Sequence, residues 1–278
     1  EFGRADIYGA EVVIERLPGD TLWNYERIFP DTEPDLGPEG PDRLIQIQRA
    51  RIFDSRFVLR FPWEPDEPVT AEDAERLILR EAPGGLQREF RFENINANLP
   101  RVLWESPVEE GRLFQVASLS TRGYIWADPF DLRDMQATVT HRDSVIVFDV
   151  DRFRLPETVG SGLGRIIVGD ERTLVDVSIH GDEVATRDLQ WLYPPLPDEG
   201  GGTLDFRIQT QPVGTLWLAR DARISAPGTE LAGSFGIVTG DTLYFTQVDL
   251  RAASLDVDLL ESLLPIDLPL DGLLVGTV

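Results

Sequence analysis

The sequence contains neither cysteine nor lysine among its 278 residues. The absence of cysteine excludes disulfide bonds, thiolate catalysis and zinc sites that use cysteine ligands. It does not decide the compartment, because an extracytoplasmic protein with a large core can be stable without disulfides. All 26 basic side chains are arginine, which we attribute to a GC-rich genome and not to function.

Long uninterrupted hydrophobic runs are also missing. No stretch of about 18 uncharged apolar residues occurs, so the sequence predicts no transmembrane helix. The chain carries 49 acidic residues and a net charge of −23, which we interpret first as a source of solubility. Such a chain has no basic surface to release counterions from a phosphate backbone, so we exclude nucleic acid as a partner. The charge favours protein partners that have basic surfaces.

Histidine is scarce, with only His141 and His180 in the chain. Neither a Gly-x-Ser-x-Gly elbow nor a His-Glu-x-x-His motif is present, although a triad assembled in space stays open. The glycine-rich segment 160–164 resembles a phosphate loop but lacks its Gly-Lys-Ser/Thr ending, and we interpret it as a strand. We therefore predict a protein that is not an enzyme and has no catalytic, cofactor-binding or metal-binding residues.

One acidic segment leaves an alternative open. Residues 31–42 are rich in proline, glycine and acidic side chains, which predicts a surface loop. The carboxylates of this loop could hold Ca²⁺, but their spacing is not the regular ligand spacing of an EF-hand.

What the sequence does contain is alternation with a period of two. In Gly202–Gln209, Leu204, Phe206 and Ile208 alternate with polar side chains, which is typical of a strand with one buried face. Turn residues at 227–228 and 240–241 separate such runs. We predict a mainly β fold: an elongated antiparallel sheet built from stacked β repeats, groove-like or sandwich-like, with a few short helices.

The second half of the chain repeats itself after about 70 residues. Thr158 and Thr229 are 71 positions apart, and so are Gly162 and Gly233. A repeat of this length predicts one supersecondary unit used twice and stacked edge to edge. Each copy ends in a leucine-rich segment of helical spacing, 255–264 in the second copy. A third copy begins near residue 270, so we expect the chain to be a piece of a longer protein.

The first half, residues 1–140, predicts a β segment that is continuous with the two repeats in 141–278. Two helices interrupt its strands in this interpretation. The first covers residues 21–29, with Asp20 or Thr21 as its cap. The second is an insertion over residues 70–82, with Thr70 as its cap and Pro83-Gly84-Gly85 as its end.

The terminal segment 270–278 predicts a strand with an exposed edge, because the end strand of a stacked sheet has no neighbour on one side. We expect Leu273 and Val275 to pair along Gly202–Gln209 or along the 243–250 run. The segment is then a sheet edge or a partner contact and not a free tail.

The N-terminal segments Ile7–Glu15 and Pro18–Phe29, with their strand, glycine turn, Trp23-Asn24 pair and short helix, resemble the start of AsmA/TamB-like proteins. The two long repeats resemble the same family further along. The resemblance implies a repeating β-groove in the periplasm, anchored by an N-terminal helix that precedes this sequence. It also implies a part in lipid movement or envelope assembly, and it supplies no catalytic residues.

Two functions follow as expectations. The first is a non-enzymatic periplasmic scaffold that docks on the periplasmic side of a membrane protein complex and stabilises it. A photosynthetic reaction centre with its light-harvesting complex is one candidate host. The alternative is an AsmA/TamB-like groove that binds or transfers lipid. Bridging members of that family are much longer than this chain. A hydrolase ranks last.

Overall fold

A computed structural model describes residues 3–28, 45–64, 71–105, 111–169, 173–240, 244–259 and 273–277. The protein is mainly β, as predicted, with large antiparallel sheets and a few short helices. The chain divides into two compact units, Glu1–Arg133 and Asp134–Val278, called here the first and the second unit.

The described residues of the first unit form ten strands and two short helices. In chain order they are β1 (Ala5–Tyr8), β2 (Glu11–Glu15), α1 (Asn24–Ile28), β3 (Ile45–Ile47), β4 (Ala50–Trp63), α2 (Ala71–Arg76), β5 (Leu79–Ala82), β6 (Gly85–Leu99), β7 (Arg101–Glu105), β8 (Arg112–Val116), β9 (Ser118–Tyr124) and β10 (Phe130–Leu132). Its main sheet has the order β1-β4-β6-β9-β10, with β2 beside β4 and β5 beside β6. Strand β7 pairs with both β3 and β8.

The chain start departs from the antiparallel pattern, because β1 and β2 both run parallel to β4. They follow one another along the same edge of β4 and are separated by Gly9, which has a φ of 56°. The break in the edge faces a bulge in β4, where the Ser55 hydroxyl accepts the N–H of Ala10 at 3.1 Å. One side chain thereby satisfies a backbone donor that the interrupted ladder leaves unpaired.

The two faces of this sheet differ in chemistry. On one face arginine and glutamate alternate across the strands: Arg60 lies 2.8 Å from Glu89, and Arg91 lies 3.0 Å from Glu93. The opposite face, called the phenyl face, carries the rings of Phe57, Phe61, Phe90, Phe92 and Phe130. Neighbouring rings on it are in contact, and the centroids of Phe61 and Phe90 are 5.2 Å apart.

The predicted helical insertion over residues 70–82 is wrong in its second half. Helix α2 covers only Ala71–Arg76, and Leu79–Ala82 forms strand β5. The turn at Pro83-Gly84 folds this segment back onto β6, where Leu79 pairs with Arg88. Ladder hydrogen bonds to β6 therefore outweigh a local helical preference of a few tenths of a kcal/mol per residue. Thr70, the predicted cap, lies outside the described residues.

The helix predicted for residues 21–29 is shorter than expected. Helix α1 begins at Asn24 and ends at Ile28. The Asn24 side chain contacts the outer edge of β2: it accepts the Glu15 N–H at 3.0 Å and donates to the Val13 carbonyl at 2.8 Å. The asparagine thus acts as a strand partner at this edge, which explains why the helix starts at Asn24 and not at Thr21.

The second unit is an antiparallel meander in which each strand pairs with the next along the chain. Its elements are β11 (Asp134–Arg142), β12 (Val145–Arg154), β13 (Val159–Val168), β14 (Thr173–Ala185), a 3-10 helix (Thr186–Leu189), β15 (Gly201–Gln211), β16 (Gly214–Ala226), β17 (Thr229–Thr239), β18 (Tyr244–Asp256) and β19 (Leu273–Thr277). Strands β13 and β14 belong to the first copy of the repeat and β15 to β18 to the second, while β19 lies where the sequence predicts the start of a third copy.

The two copies share side-chain chemistry as well as strand order. In the first copy the Thr158 hydroxyl accepts the Ala185 N–H at 3.0 Å, and in the second the Thr229 hydroxyl accepts the Asp256 N–H at 3.0 Å. Both threonines are buried. The threonine repeat found in the sequence therefore marks one buried hydrogen bond that is built twice.

The C-terminal strand lies at an end of the sheet. Strand β19 pairs with β18, the strand that contains most of the 243–250 run. The paired residues of β18 come after that run in the chain, and Leu273 stands opposite Asp256. The predicted helix at 255–264 begins later than expected, because β18 continues to Asp256 and residues 257–259 are helical. The rest of that prediction, 260–264, lies outside the described residues.

Candidate functional site

The most extensive chemically uniform surface of the second unit is one face of its sheet. On β14, Val175, Val177 and Ile179 point to the same side, because side chains in a strand alternate between faces. In the next strand, Ile208 stands opposite Val177, and Phe206 stands opposite Ile179. Directly paired residues share a face, so the apolar row passes from strand to strand.

The ladder register carries this row across β12 to β18. We call it the apolar face. Its large members are Ile146, Phe148, Val150, Ile166, Val175, Val177, Ile179, Leu204, Phe206, Ile208, Trp217, Phe235, Ile237 and Phe245.

Glycine residues on β13 leave room on this face for the side chains of neighbouring strands. Gly162 and Gly164 both belong to it, and the ring of Phe148 extends from β12 over Gly164 to the side chain of Val177 on β14. A Cβ atom on Gly164 would lie 2.4 Å from the tip of the Phe148 ring, so only glycine leaves room for it. The segment 160–164 is therefore part of a strand, as the sequence predicts, and not a phosphate-binding loop.

None of the large side chains of the apolar face is buried. Most are half-buried, and Phe245 is 56% exposed. In the described part of the second unit, the strands make their main contacts with sheet neighbours, and the 3-10 helix lies against β14. The buried cluster of this unit, Leu216, Leu218 and Val238, is on the other face of β16 and β17.

That other face is polar over β14 and β15. The Arg207 guanidinium lies 3.1 Å from the Asp176 carboxylate, and the imidazole of His180 lies between Asp182 and Asp205. The hydrogen bond with Asp205, reinforced by the charges of both carboxylates, raises the pKa of His180 despite some desolvation. Over β14 and β15 the sheet is thus amphipathic through its thickness, with one apolar and one charged side.

The two histidines lie on different strands of the second unit, β11 and β14. His141 lies on β11 opposite Ile146, and His180 lies on β14 with Ser161 and Asp205 opposite it on either side. A serine, a histidine and an aspartate are therefore neighbours across three strands. However, Nε2 of His180 lies 3.2 Å from Asp182, and this imidazole is 54% exposed.

A triad needs the second histidine nitrogen to take the proton of the serine hydroxyl and also needs free backbone donors that stabilise an oxyanion. The ladders on both sides of β14 occupy the backbone donors around His180. The chemistry of this trio is that of a solvent-exposed ion cluster.

Metal ligation finds no support in the described ranges. Among those residues no group of three or more His, Asp or Glu side chains is arranged to hold a metal ion. The acidic loop at 31–42, where a Ca²⁺ site was the open alternative, lies outside them. No helix among the described residues is both long and apolar enough to cross a bilayer.

Sequence reasoning predicted several strands of the apolar face, among them the one at Gly202–Gln209, but neither β16 nor the extent of the face. The signal was present in the repeat, because equal spacing of alternating segments places their apolar positions in register once neighbouring strands pair. Comparisons of this chain with family models, with curated proteins and with solved structures found no match.

Proposed function

We propose that the protein is a non-enzymatic periplasmic protein that binds lipid acyl chains on the apolar face of its second unit. One observation carries the proposal: large aliphatic and aromatic side chains in register on β12 to β18 are half-buried and not buried. Such a surface costs roughly 25 cal/mol for each Å² of apolar area left in water, so a folded protein retains it where a ligand or partner covers it.

The dimensions of the face suit an acyl chain. Neighbouring strands lie about 4.8 Å apart, so the strands from β12 to β18 extend the face by roughly 29 Å along the sheet. The hydrocarbon core of a bilayer is about 30 Å thick, so the acyl chain of one leaflet is about 15 Å long. The face is therefore long enough to accommodate one acyl chain along its whole length.

The charged side of the sheet supports a location in water. Asp176, Arg207 and the His180 cluster solvate this side while the apolar side binds the ligand. The periplasmic location rests on the resemblance of the N-terminal segments to AsmA/TamB-like proteins.

Titration of the delipidated protein with a fluorescent fatty acid tests the proposal. The double substitution of Val175 and Val177 by threonine keeps the shape of the side chains but replaces a methyl by a hydroxyl at two positions. Each loss is worth about 0.8 kcal/mol of apolar contact, so affinity should fall roughly tenfold. Val147→Thr, an exposed position on the other side of β12, is the matched control and should bind as the unmodified protein does.

Native mass spectrometry after gentle extraction supplies the second measurement. The proposal expects an acyl lipid to accompany the unmodified protein. It is wrong if no lipid accompanies the protein and if the double variant binds the fatty acid as tightly as the control.

A second candidate function is the periplasmic scaffold, in which the protein docks on a membrane protein complex through subunits with basic surfaces. The observation that favours it is the sheet edge: β19 is the last strand of its sheet, and the Val275 side chain is 75% exposed. An edge strand offers unpaired backbone groups to a strand of another chain.

Removal of residues 270–278 tests the scaffold function. We expect the truncated protein to lose the complex with which it copurifies from native membranes, or to aggregate through the newly exposed edge of β18. A truncated protein that stays soluble, keeps its melting temperature and still copurifies with that complex contradicts this function.

A further inference from the structure

Arg88 is a cation of the first unit that lies among aromatic rings. It lies on β6, on the phenyl face, opposite Phe61. Its guanidinium carbon lies 4.5 Å from the ring centre of Trp126, 5.0 Å from that of Phe90 and 5.3 Å from that of Trp63. Three rings within 6 Å place this guanidinium in cation–π contact on several sides at once.

No carboxylate accompanies this arginine among the described residues. Its Nε–H is buried without a hydrogen-bond acceptor, and so is the indole N–H of the adjacent Trp63. Burial lowers the pKa of Arg88, and no charge in the described part of the chain contributes to the shift. A buried donor without an acceptor destabilises the fold, and more so when it is charged.

The contrast with the other face of the same strands makes this arrangement informative. There, Arg60 pairs with Glu89 and Arg91 lies beside Glu93. The chain has 49 acidic residues and only 26 basic ones. A chain of this composition has many carboxylates that can pair with an arginine. The described neighbours of Arg88 on the phenyl face are aromatic rings.

A second cation approaches the same ring. The guanidinium of Arg76, at the end of α2, lies 5.1 Å from the centre of Trp126. The backbone holds this residue in place, because the Arg76 carbonyl accepts the Ala127 N–H at 2.8 Å.

We propose that Arg88, with Trp63 and Trp126, forms a binding site for the anionic group, a phosphate or a carboxylate, of an amphipathic ligand. The planar guanidinium donates two parallel hydrogen bonds to such a group. The phenyl face continues from Arg88 through Phe90 and Phe92 and covers the apolar part of the ligand. This site belongs to the first unit and does not rest on the apolar face of the second.

Calorimetric titration with three probes tests the site: dodecyl phosphate below its micelle concentration, inorganic phosphate, and dodecyltrimethylammonium as the cationic counterpart. The expected result is a clear preference for dodecyl phosphate over the cationic probe. Arg88→Met keeps the length of the side chain and removes its charge, and it should reduce affinity for dodecyl phosphate roughly tenfold or more.

Arg251→Met is the matched control, because Arg251 is an exposed arginine of β18 in the second unit. The control makes the same change in net charge and should leave the binding of dodecyl phosphate unchanged. Equal affinity of the unmodified protein for inorganic phosphate and for dodecyl phosphate assigns the site to a free anion, and weaker binding of inorganic phosphate assigns it to an amphiphile.

Arg88→Lys covers the case in which the methionine variant does not fold. Lysine retains the charge but loses the planar donor pair, so we expect a several-fold loss of affinity for dodecyl phosphate. The proposal is overturned if the folded Arg88 variants bind dodecyl phosphate as the control does, or if the unmodified protein binds the anionic and the cationic amphiphile equally well. Loss of binding on the apolar face of the second unit would not produce this charge preference, so the two proposals fail separately.

Discussion

Thr158→Val tests whether the repeated threonine holds each copy of the repeat together. Thr158 is 2% exposed, and its hydroxyl accepts the Ala185 N–H at 3.0 Å. Valine has nearly the same shape, so the substitution removes the acceptor without creating a cavity. The Ala185 N–H would remain at the end of β14 without this partner.

The expected loss follows from the desolvation of that donor. A buried N–H without an acceptor costs about 1–3 kcal/mol in the free energy of unfolding. Each kcal/mol lowers the melting temperature by about 2–4 °C in a chain of 150–250 residues, and we expect shifts of this order here. Thr229→Val should have a similar effect, because Thr229 accepts the Asp256 N–H in the same way.

Urea unfolding measures the free energy, and amide hydrogen exchange at Ala185 and Asp256 assigns the loss to the two sites. Thr140→Val, an exposed threonine of β11, is the control for replacing a hydroxyl by a methyl. The reasoning is refuted if Thr158→Val and Thr140→Val differ by less than about 0.5 kcal/mol, the range of ordinary surface substitutions.

Two further predictions concern the two faces of the sheet in the second unit. Gly164→Ala should destabilise the protein by about 1–3 kcal/mol in thermal or urea unfolding, because its Cβ would collide with the Phe148 ring. The control is Gly276→Ala, which should be nearly neutral because a Cβ there meets nothing within 4 Å. Equal effects of the two substitutions would contradict the packing argument. His180 should titrate by NMR above its ordinary pKa, because Asp205 binds the protonated ring. Its contribution to stability is therefore complete below the ordinary histidine pKa and is lost as pH rises through the raised one. Asp205→Asn should return the pKa of His180 towards its ordinary value, and an unchanged titration would exclude Asp205 as the cause.

Local sequence signals were sufficient to predict much of the fold. In a strand with one apolar and one polar face, the two residue types alternate with a period of two, and the sequence shows this period directly. The alternation in Gly202–Gln209 predicts β15, and the threonine spacing predicts one supersecondary unit used twice. The structure adds that each of these threonines accepts a backbone hydrogen bond. The helix predicted over 70–82 failed where a tertiary interaction competed, since β5 obtains its hydrogen bonds from β6. A propensity signal cannot include a partner strand that is distant in the fold.

The sequence by itself determined that the protein is mainly β, that it lacks cysteine chemistry and that its second half repeats, because composition and period depend on local order alone. Only the tertiary structure decided which residues meet. Ladder register joined the apolar positions of β12 to β18 into one face, and strand pairing placed Arg88 beside Trp63, while a loop supplied Trp126. The physical reason is that side-chain neighbours across a sheet are set by backbone hydrogen bonding between segments far apart in the chain.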